Sequence, residues 1–369
     1  MSKEILVIGA GLVGQLIVKE LAKEFKLCVV DINEEHLDRV RSFGVETCKG
    51  DILDPVFAAQ CLENKSLVVN AVPGEIGFKV LKLLVEEGKR VVDIAFFEED
   101  PFSLSSLAEE RGALVIFDCG IAPGFSNIVI GEFLRRGKEL ESVEIYVGGL
   151  PQERKLPWEY TTVFSIKDVL AEYIRPARFR VKGEEVVENA LSGLETIEVQ
   201  GLGTLEAFLT DGLRSLLKTT TIPNIIEKTI RYPGHRDKLL LLRDSGFFSE
   251  EKKIVGKAEV SALDLTATVL KEAWGQAERD LLVMKIVLRE FSGKENIVVV
   301  KDFYDEKEKD SSMSRCTGYT ACSIVKWLEK NSQYVARGIV SPEELAREHP
   351  ICQHTVQYLR EKGIEIRGI

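Results

Sequence analysis

A glycine triplet near the start of the chain constrains its fold more than any other feature. Residues 5–21 read ILVIGAGLVGQLIVKEL. Glu4 to Ile8 reads as a short buried strand. Gly9-Ala10-Gly11-Leu12-Val13-Gly14 matches G-x-G-x-x-G, and Leu12 to Phe25 has helical spacing of apolar residues. The stretch is not read as a secretory signal, because three glycines interrupt it, Lys19 and Glu20 follow, and no cleavage site comes after. The alternative has a physical reason for each glycine. Gly9 permits a tight turn, Gly11 lets a pyrophosphate touch backbone, and Gly14 allows close helix–strand packing. The helix start at Leu12 and Val13 then turns its free N–H groups to the phosphates.

The next apolar strand, Leu27 to Val30, ends in Asp31, 20 residues after Gly11. An acid there accepts the adenosine ribose hydroxyls and repels a 2′-phosphate, so the expected cofactor is NAD. Further strands are expected at Val45 to Cys48, Leu67 to Val72, Arg90 to Phe96 and Ala113 to Asp118. Helices at 34–43, 55–62, 76–87 and 103–111 separate them. This alternation predicts an α/β Rossmann domain with a doubly wound parallel sheet. Ligands of such sheets sit at the carboxyl ends of the strands. That rule adds Asp51, Asn70, Ala71, Pro73, Asp93 and Gly120 to the cofactor set, with Asp51 by the adenine and Asn70 to Pro73 by the nicotinamide. A strand-end Asp also serves as a helix cap, so each has a plainer reading.

Beyond residue 122 the pattern changes. Strands at Ser142 to Val147, Arg178 to Val181, Thr196 to Val199, Leu281 to Leu288 and Asn296 to Asp302 lack regular intervening helices. A second α+β domain with a mixed or antiparallel sheet is expected, covered by helices near 165–173, 205–217 and 262–274.

The 369 residues carry a net charge of -10, with 45% hydrophobic residues. Acidity argues against nucleic acid as a partner, and no run of about 18 uncharged apolar residues suggests a membrane span. The seven cysteines form no CxxC pair and suit thiols in a reducing cytoplasm. His349, Cys352 and His354 lack the spacing of a zinc site, so no metal is expected. Sparse Met with plentiful Lys and Glu leans towards a thermophile.

Several motifs resemble the saccharopine dehydrogenase-like reductases across essentially the whole chain. They are GIAPG (120–124), GGLP (148–151), RYPGHRDKLLLLRDSGFF (231–248), CTGYTA (316–321), GIVSPEEL (338–345) and REKGIEIRGI (360–369). Length and motif order are most similar to the prokaryotic L-lysine 6-dehydrogenases in that family. The resemblance implies NAD-dependent oxidation of an amino-acid amine, a homodimer built through the second domain's sheet, and a small-molecule amino-acid substrate. It also implies that the chain's end returns to the nucleotide domain, giving domains at 1–122, 123–310 and 311–369. Saccharopine-forming relatives carry an acid where Ala122 stands, which points to a different substrate. Two alternatives stand beside this reading: a saccharopine-type or carboxynorspermidine-type imine reductase, and a non-catalytic NAD-binding regulatory protein.

Oxidising an amine needs its lone pair. A lysine ε-ammonium with pKa about 10.4 costs about 4.6 kcal/mol to deprotonate at pH 7, so a base is required. His235, near neutral when unperturbed, is the first candidate and Asp118 the second. Both have plain readings, as a turn histidine and a cap. Arg231 and Arg243 flank His235 and suit a substrate carboxylate, although charged chains pair arginines on their surface as often. Tyr160 lies in a loop that could cover the site. Phe96, Phe164 and Thr317 are expected to line the pocket by family correspondence.

Overall fold

Strand β1 (Glu4–Ile8) is almost wholly buried, as EILVI requires when both faces of a parallel sheet are covered. The computed structural model describes residues 4–369, apart from 66, 163–164, 276–278, 332, 334 and 336. The chain divides into two units. The first comprises Met1–Lys138 and Ser314–Gly363, the second Glu139–Met313 and Ile364–Ile369. The boundaries fall after 138 and 313, where the sequence placed them after 122 and 310. Helix Phe125–Arg135 belongs with the first unit because Gly131 lies against helix Pro342–Glu348; an added Cβ would come within 2.3 Å of the Glu343 carbonyl. Only side-chain-free backbone allows that approach.

In the first unit β1 is followed by β2 (Lys26–Asp31), β3 (Glu46–Lys49), β4 (Leu67–Asn70), β5 (Arg90–Asp93) and β6 (Leu114–Ile116). The parallel sheet runs β17-β6-β5-β4-β1-β2-β3, with β17 supplied by Gly338–Val340 near the chain's end. Strand order reverses between β1 and β4, which makes the crevice above their carboxyl ends the ligand position. Leu6, Ile8, Cys28, Val30 and Val68 pack one sheet face against helices Pro55–Leu62, Gly74–Glu86 and Ser105–Arg111. The C-terminal segment is not only helical: it contributes β17 here and β18 (Glu365–Arg367) to the other sheet.

Helix Leu12–Leu21 is tied to that segment through Glu20. Its buried carboxylate receives Lys23, Lys326, Lys362 and the Tyr358 hydroxyl. Burial alone would raise its pKa; the bonds from Lys23, Lys362 and Tyr358 outweigh burial and hold it at about 2.

The second unit has a mixed sheet. Its strands are β7 (Leu140–Pro151), β8 (Ala177–Val181), β9 (Glu184–Glu188), β10 (Glu195–Val199), β11 (Gly203–Leu209), β12 (Asn224–Arg231), β15 (Asp280–Glu290) and β16 (Glu295–Phe303). A separate hairpin pairs β13 (Lys252–Val255) with β14 (Ala258–Ser261). The main path is β10-β11-β12-β7-β15-β16-β18, parallel only between β12 and β7. The helix expected at 205–217 is strand as far as Leu209, and only Leu216–Thr219 is helical. The apolar residues there fit either period. Pairing with β10 and β12 decides it, sending Leu205 and Ala207 to one core and Phe208 to the other. No helix among the described residues is long and apolar enough to cross a membrane.

Candidate functional site

Two sites are built, one in each unit. In the first, Gly9 has φ +94°, and an added Cβ would stand 2.4 Å from the Ala71 carbonyl at the end of β4. A Cβ on Gly14 would stand 2.1 Å from the Gly9 carbonyl. Both glycines are therefore required by packing. Gly11 differs: a Cβ there meets nothing within 4 Å. It caps helix Leu12–Leu21 without a side-chain bond. Leu12 is exposed and Val13 half-buried. Open space over backbone at a helix N-terminus is what a pyrophosphate needs. The cradle fits a dinucleotide.

Asp31 closes the cradle. Its Oδ2 accepts the Ala10 N–H at 2.7 Å, its Oδ1 accepts the Asn33 N–H at 2.7 Å, and His36 Nδ1 lies 3.3 Å from Oδ2. The carboxylate is thus aimed before any ribose arrives. Asp51 is exposed, and its Oδ1 accepts the Leu53 N–H, the role of a turn cap. Asn70 and Asp93 are fully buried. Asn70 Nδ2 donates to Asp93 Oδ2 at 2.8 Å and Asp93 Oδ1 accepts the Ala95 N–H. The bond ties β4 to β5, and Asn70 Oδ1 is left buried with no hydrogen-bond partner among the described residues. Pro73 is exposed at the start of helix Gly74–Glu86.

Asp118 sits after β6 with φ +54° and is buried. The turn beyond it is locked by distant residues. Gly124 and Ser126 donate to Asn127 Oδ1, while Asn127 Nδ2 donates to Glu343 Oε2 at 2.9 Å. Thr317 Cγ2 would lie 3.5 Å from a Cβ on Gly120. The motifs at 120–124, 316–321 and 338–345 therefore converge on one turn. Phe96 is half-buried in this unit. Phe164 lies outside the described residues.

The second site gathers His235, Arg231 and Tyr160, with Tyr173, Glu172 and Trp274. Arg231, buried at the end of β12, donates from Nε to Tyr173 Oη at 3.0 Å and from Nη1 to the Ile230 carbonyl. Its Nη2 lies 3.4 Å from Glu172 Oε2. Its guanidinium lies 4.9 Å from the Tyr160 ring centroid. His235 starts helix His235–Asp244, with its ring 4.8 Å from that of Tyr160. Nδ1 donates to the Trp158 carbonyl at 3.2 Å, which leaves Nε2 as an acceptor 3.4 Å from Tyr173 Oη. Burial first, then the Arg231 cation, pushes the His235 pKa down to about 3. That corrects the expectation for His235: it stays neutral and is a poor base. Arg243 is also corrected. Its Nε donates to Asp244 Oδ1 and its Nη1 to the Ala190 carbonyl.

Sequence reasoning missed Glu172. An acid on an amphipathic helix reads as a solvent contact. Its side chain is 21% exposed, yet the surrounding protein pushes its pKa up to about 7, against the pull of Arg231. A carboxylate poised near neutrality is suited to proton transfer. Tyr160 Oη, Thr162 Oγ1 and Trp274 Nε1 are buried with no hydrogen-bond partner of acceptable geometry among the described residues, although Tyr173 lies near Tyr160. Buried unpaired polar atoms cost about 1–3 kcal/mol each, and the Tyr160 and Trp274 rings, 4.8 Å apart, bring two of them to one position where a ligand can bond.

Residues 5–116 match the saccharopine dehydrogenase NADP binding domain and residues 120–364 the saccharopine dehydrogenase C-terminal domain. The chain belongs to the saccharopine dehydrogenase family. Saccharopine dehydrogenase [NADP(+), L-glutamate-forming] from Pyricularia oryzae is 23% identical over 228 residues, covering 58% of this chain and 50% of that enzyme. Mouse mitochondrial alpha-aminoadipic semialdehyde synthase is 23% identical over 206 residues, covering 53% of this chain but 22% of its own length. The matches thus span half or less of these curated relatives. Apo saccharopine dehydrogenase (L-Glu forming) from Saccharomyces cerevisiae shares the fold, with TM-score 0.79 at 17% identity over 99% of both chains. Homospermidine synthase from Legionella pneumophila, solved with NAD, has TM-score 0.69 at 13% identity, over all of this chain and 92% of its own. The family is one of oxidoreductases acting on amino acids, with an NAD(P)-binding domain.

Proposed function

We propose that this family member is an NAD-dependent amine dehydrogenase whose substrate is L-lysine, oxidised at the 6-amino group. The observation that carries the cofactor choice is the Asp31 carboxylate, fixed at 2.7 Å on the Ala10 N–H at the ribose position. A 2′-phosphate brought there meets like charge. NAD supplies the hydride acceptor; the chain supplies binding, orientation and proton transfer. Arg231 offers the substrate carboxylate a buried cation with N–H groups beyond the three engaged bonds. Glu172 takes the ammonium proton, which its pKa of about 7 allows. The C–H bond at carbon 6 then gives up hydride as the nitrogen lone pair forms the imine. Water releases ammonia, and the 6-semialdehyde closes onto the α-amine as a cyclic imine. A homodimer through the second unit's sheet belongs to the same proposal; β16 exposes Ile297 and Phe303 there.

The names of the curated relatives favour a second reading, an imine reductase of the saccharopine type. Assays that supply L-glutamate with 2-aminoadipate 6-semialdehyde, and in parallel L-lysine with a 2-oxo acid, each with NADH or NADPH, decide between the two. Consumption of the reduced cofactor only when both carbon substrates are present would select the reductase. NADH formation from lysine alone would select the dehydrogenase.

A further inference from the structure

The outer edge of the nucleotide sheet holds a thiol cluster that neither the cradle nor the proposed chemistry uses. Cys28 lies on β2, and Glu46 and Cys48 on β3. Cys28 pairs in register with Glu46, and Cys48 with Val30. Registered residues of a parallel pair share a face, and so do residues two apart, so all three side chains leave the same face. The Cys28 and Cys48 sulfurs are 3.7 Å apart, and one ligand atom from each of the three residues lies within 4.8 Å of the others. Helix Pro55–Leu62 covers this face and brings Cys61, whose thiol interacts with that of Cys48.

These distances have a meaning. A tetrahedral zinc ion with Zn–S bonds of about 2.3 Å has its sulfurs about 3.8 Å apart. The separation of Cys28 and Cys48 matches that edge and is far longer than a disulfide of about 2.05 Å. Cys28, Cys48 and Glu46 bring two thiols and a carboxylate within 4.8 Å of one another, a donor set that zinc accepts, and Cys61 stands beside Cys48 outside the group. Burial pushes the Cys28 thiol up to about 12 and the Cys61 thiol up to about 11; the Lys65 ammonium, itself paired with Glu4, pulls both down only in part, so it is the bound dication that must draw off their protons. Cys28 and Cys61 are buried, while Cys48 is half-buried and Glu46 exposed, which leaves an entry path on the strand edge.

We propose that Cys28, Cys48 and the Glu46 carboxylate bind one thiophilic dication, zinc being the fitting case, with Cys61 beside Cys48 moving in to complete its shell. The ion would clip β3 and helix Pro55–Leu62 to β2, three residues before Asp31. Binding deprotonates the thiols and releases their protons to solvent, with no change of oxidation state.

The test uses the full chain, reduced and stripped of metal with chelator. Zinc is titrated against a colorimetric competitor, and Co(II) is bound in parallel to read its thiolate charge-transfer band. One ion per chain, a thiolate band, and loss of both in Cys48→Ser but not in Cys352→Ser are expected. Glu46→Gln should weaken binding about tenfold while leaving the thiolate band, and guards against a misfolded Cys48→Ser. Stoichiometric uptake unchanged in Cys48→Ser, absence of the thiolate band, or closure of Cys28 and Cys48 into a disulfide without metal uptake would each overturn the proposal.

Discussion

Asp31 Oδ2 accepts the Ala10 N–H at 2.7 Å, so the acid proposed to select NAD is locked to the glycine turn. Removing it acts on both. Asp31→Ala should raise KM for NAD by about 10- to 100-fold, the equivalent of one charge-assisted hydrogen bond. It should also narrow the preference against NADP. Steady-state kinetics with both cofactors checks this, and an unchanged ratio would show that Asp31 does not read the ribose.

The glycines separate fold from ligand. Gly14→Ala forces a Cβ to 2.1 Å from the Gly9 carbonyl and should lower the thermal midpoint as well as abolish NAD binding. Gly11→Ala meets open space and should leave the midpoint unchanged while weakening NAD by about tenfold or more, because the methyl occupies the phosphate approach. Thermal melts with and without NAD distinguish them.

The Glu172 carboxyl, raised to about 7, should appear as an acid limb in the pH profile of kcat/KM, with activity rising as the base form accumulates through neutrality. Glu172→Gln should remove that limb and lower the rate by about 10²- to 10⁴-fold. His235, pushed down to about 3, contributes no limb in this range. A limb that persists in Glu172→Gln and vanishes in His235→Gln would reverse the assignment.

Glu20 couples the chain's end to the first helix. Its folded pKa of about 2 lies below the ordinary 4.5. Its stabilisation is therefore complete above about 4.5 and is lost as pH falls towards 2. The shift corresponds to roughly 3 kcal/mol, applied to a side chain only 3% exposed. Glu20→Gln should lose stability of that order at pH 7 and lose less on acidification to pH 3. Denaturant unfolding at the two values measures both.

Local signals were legible where one segment carries the whole cause. Gly9, Gly14 and Asp31 act through a turn and two strands close in sequence, and periodicity placed nearly every element of the first sheet. The expected helix at 205–217 failed because apolar spacing alone cannot see the neighbours β10 and β12. His235 was placed in the second site, but its role depends on burial and on Arg231, which no spacing encodes. Glu172 reaches Arg231 only once helix Ile166–Ile174 packs on the sheet, and Cys28, Cys48 and Cys61 meet only across strands and a helix. Asp51 Oδ1 accepts the Leu53 N–H and Arg243 Nη1 donates to the Ala190 carbonyl, local bonds that residue spacing does not show.

The measurement that bears most directly on the account is absorbance at the NADH band. Purified chain is mixed with NAD and L-lysine at pH about 9, where more of the free amine is present, and ammonia is assayed in parallel. The account expects NADH and ammonia in equal amounts, with lysine and not with NADP in place of NAD. No NADH from lysine or any other amine, with reduced cofactor consumed when L-glutamate and 2-aminoadipate 6-semialdehyde, or L-lysine and a 2-oxo acid, are supplied together, would contradict it.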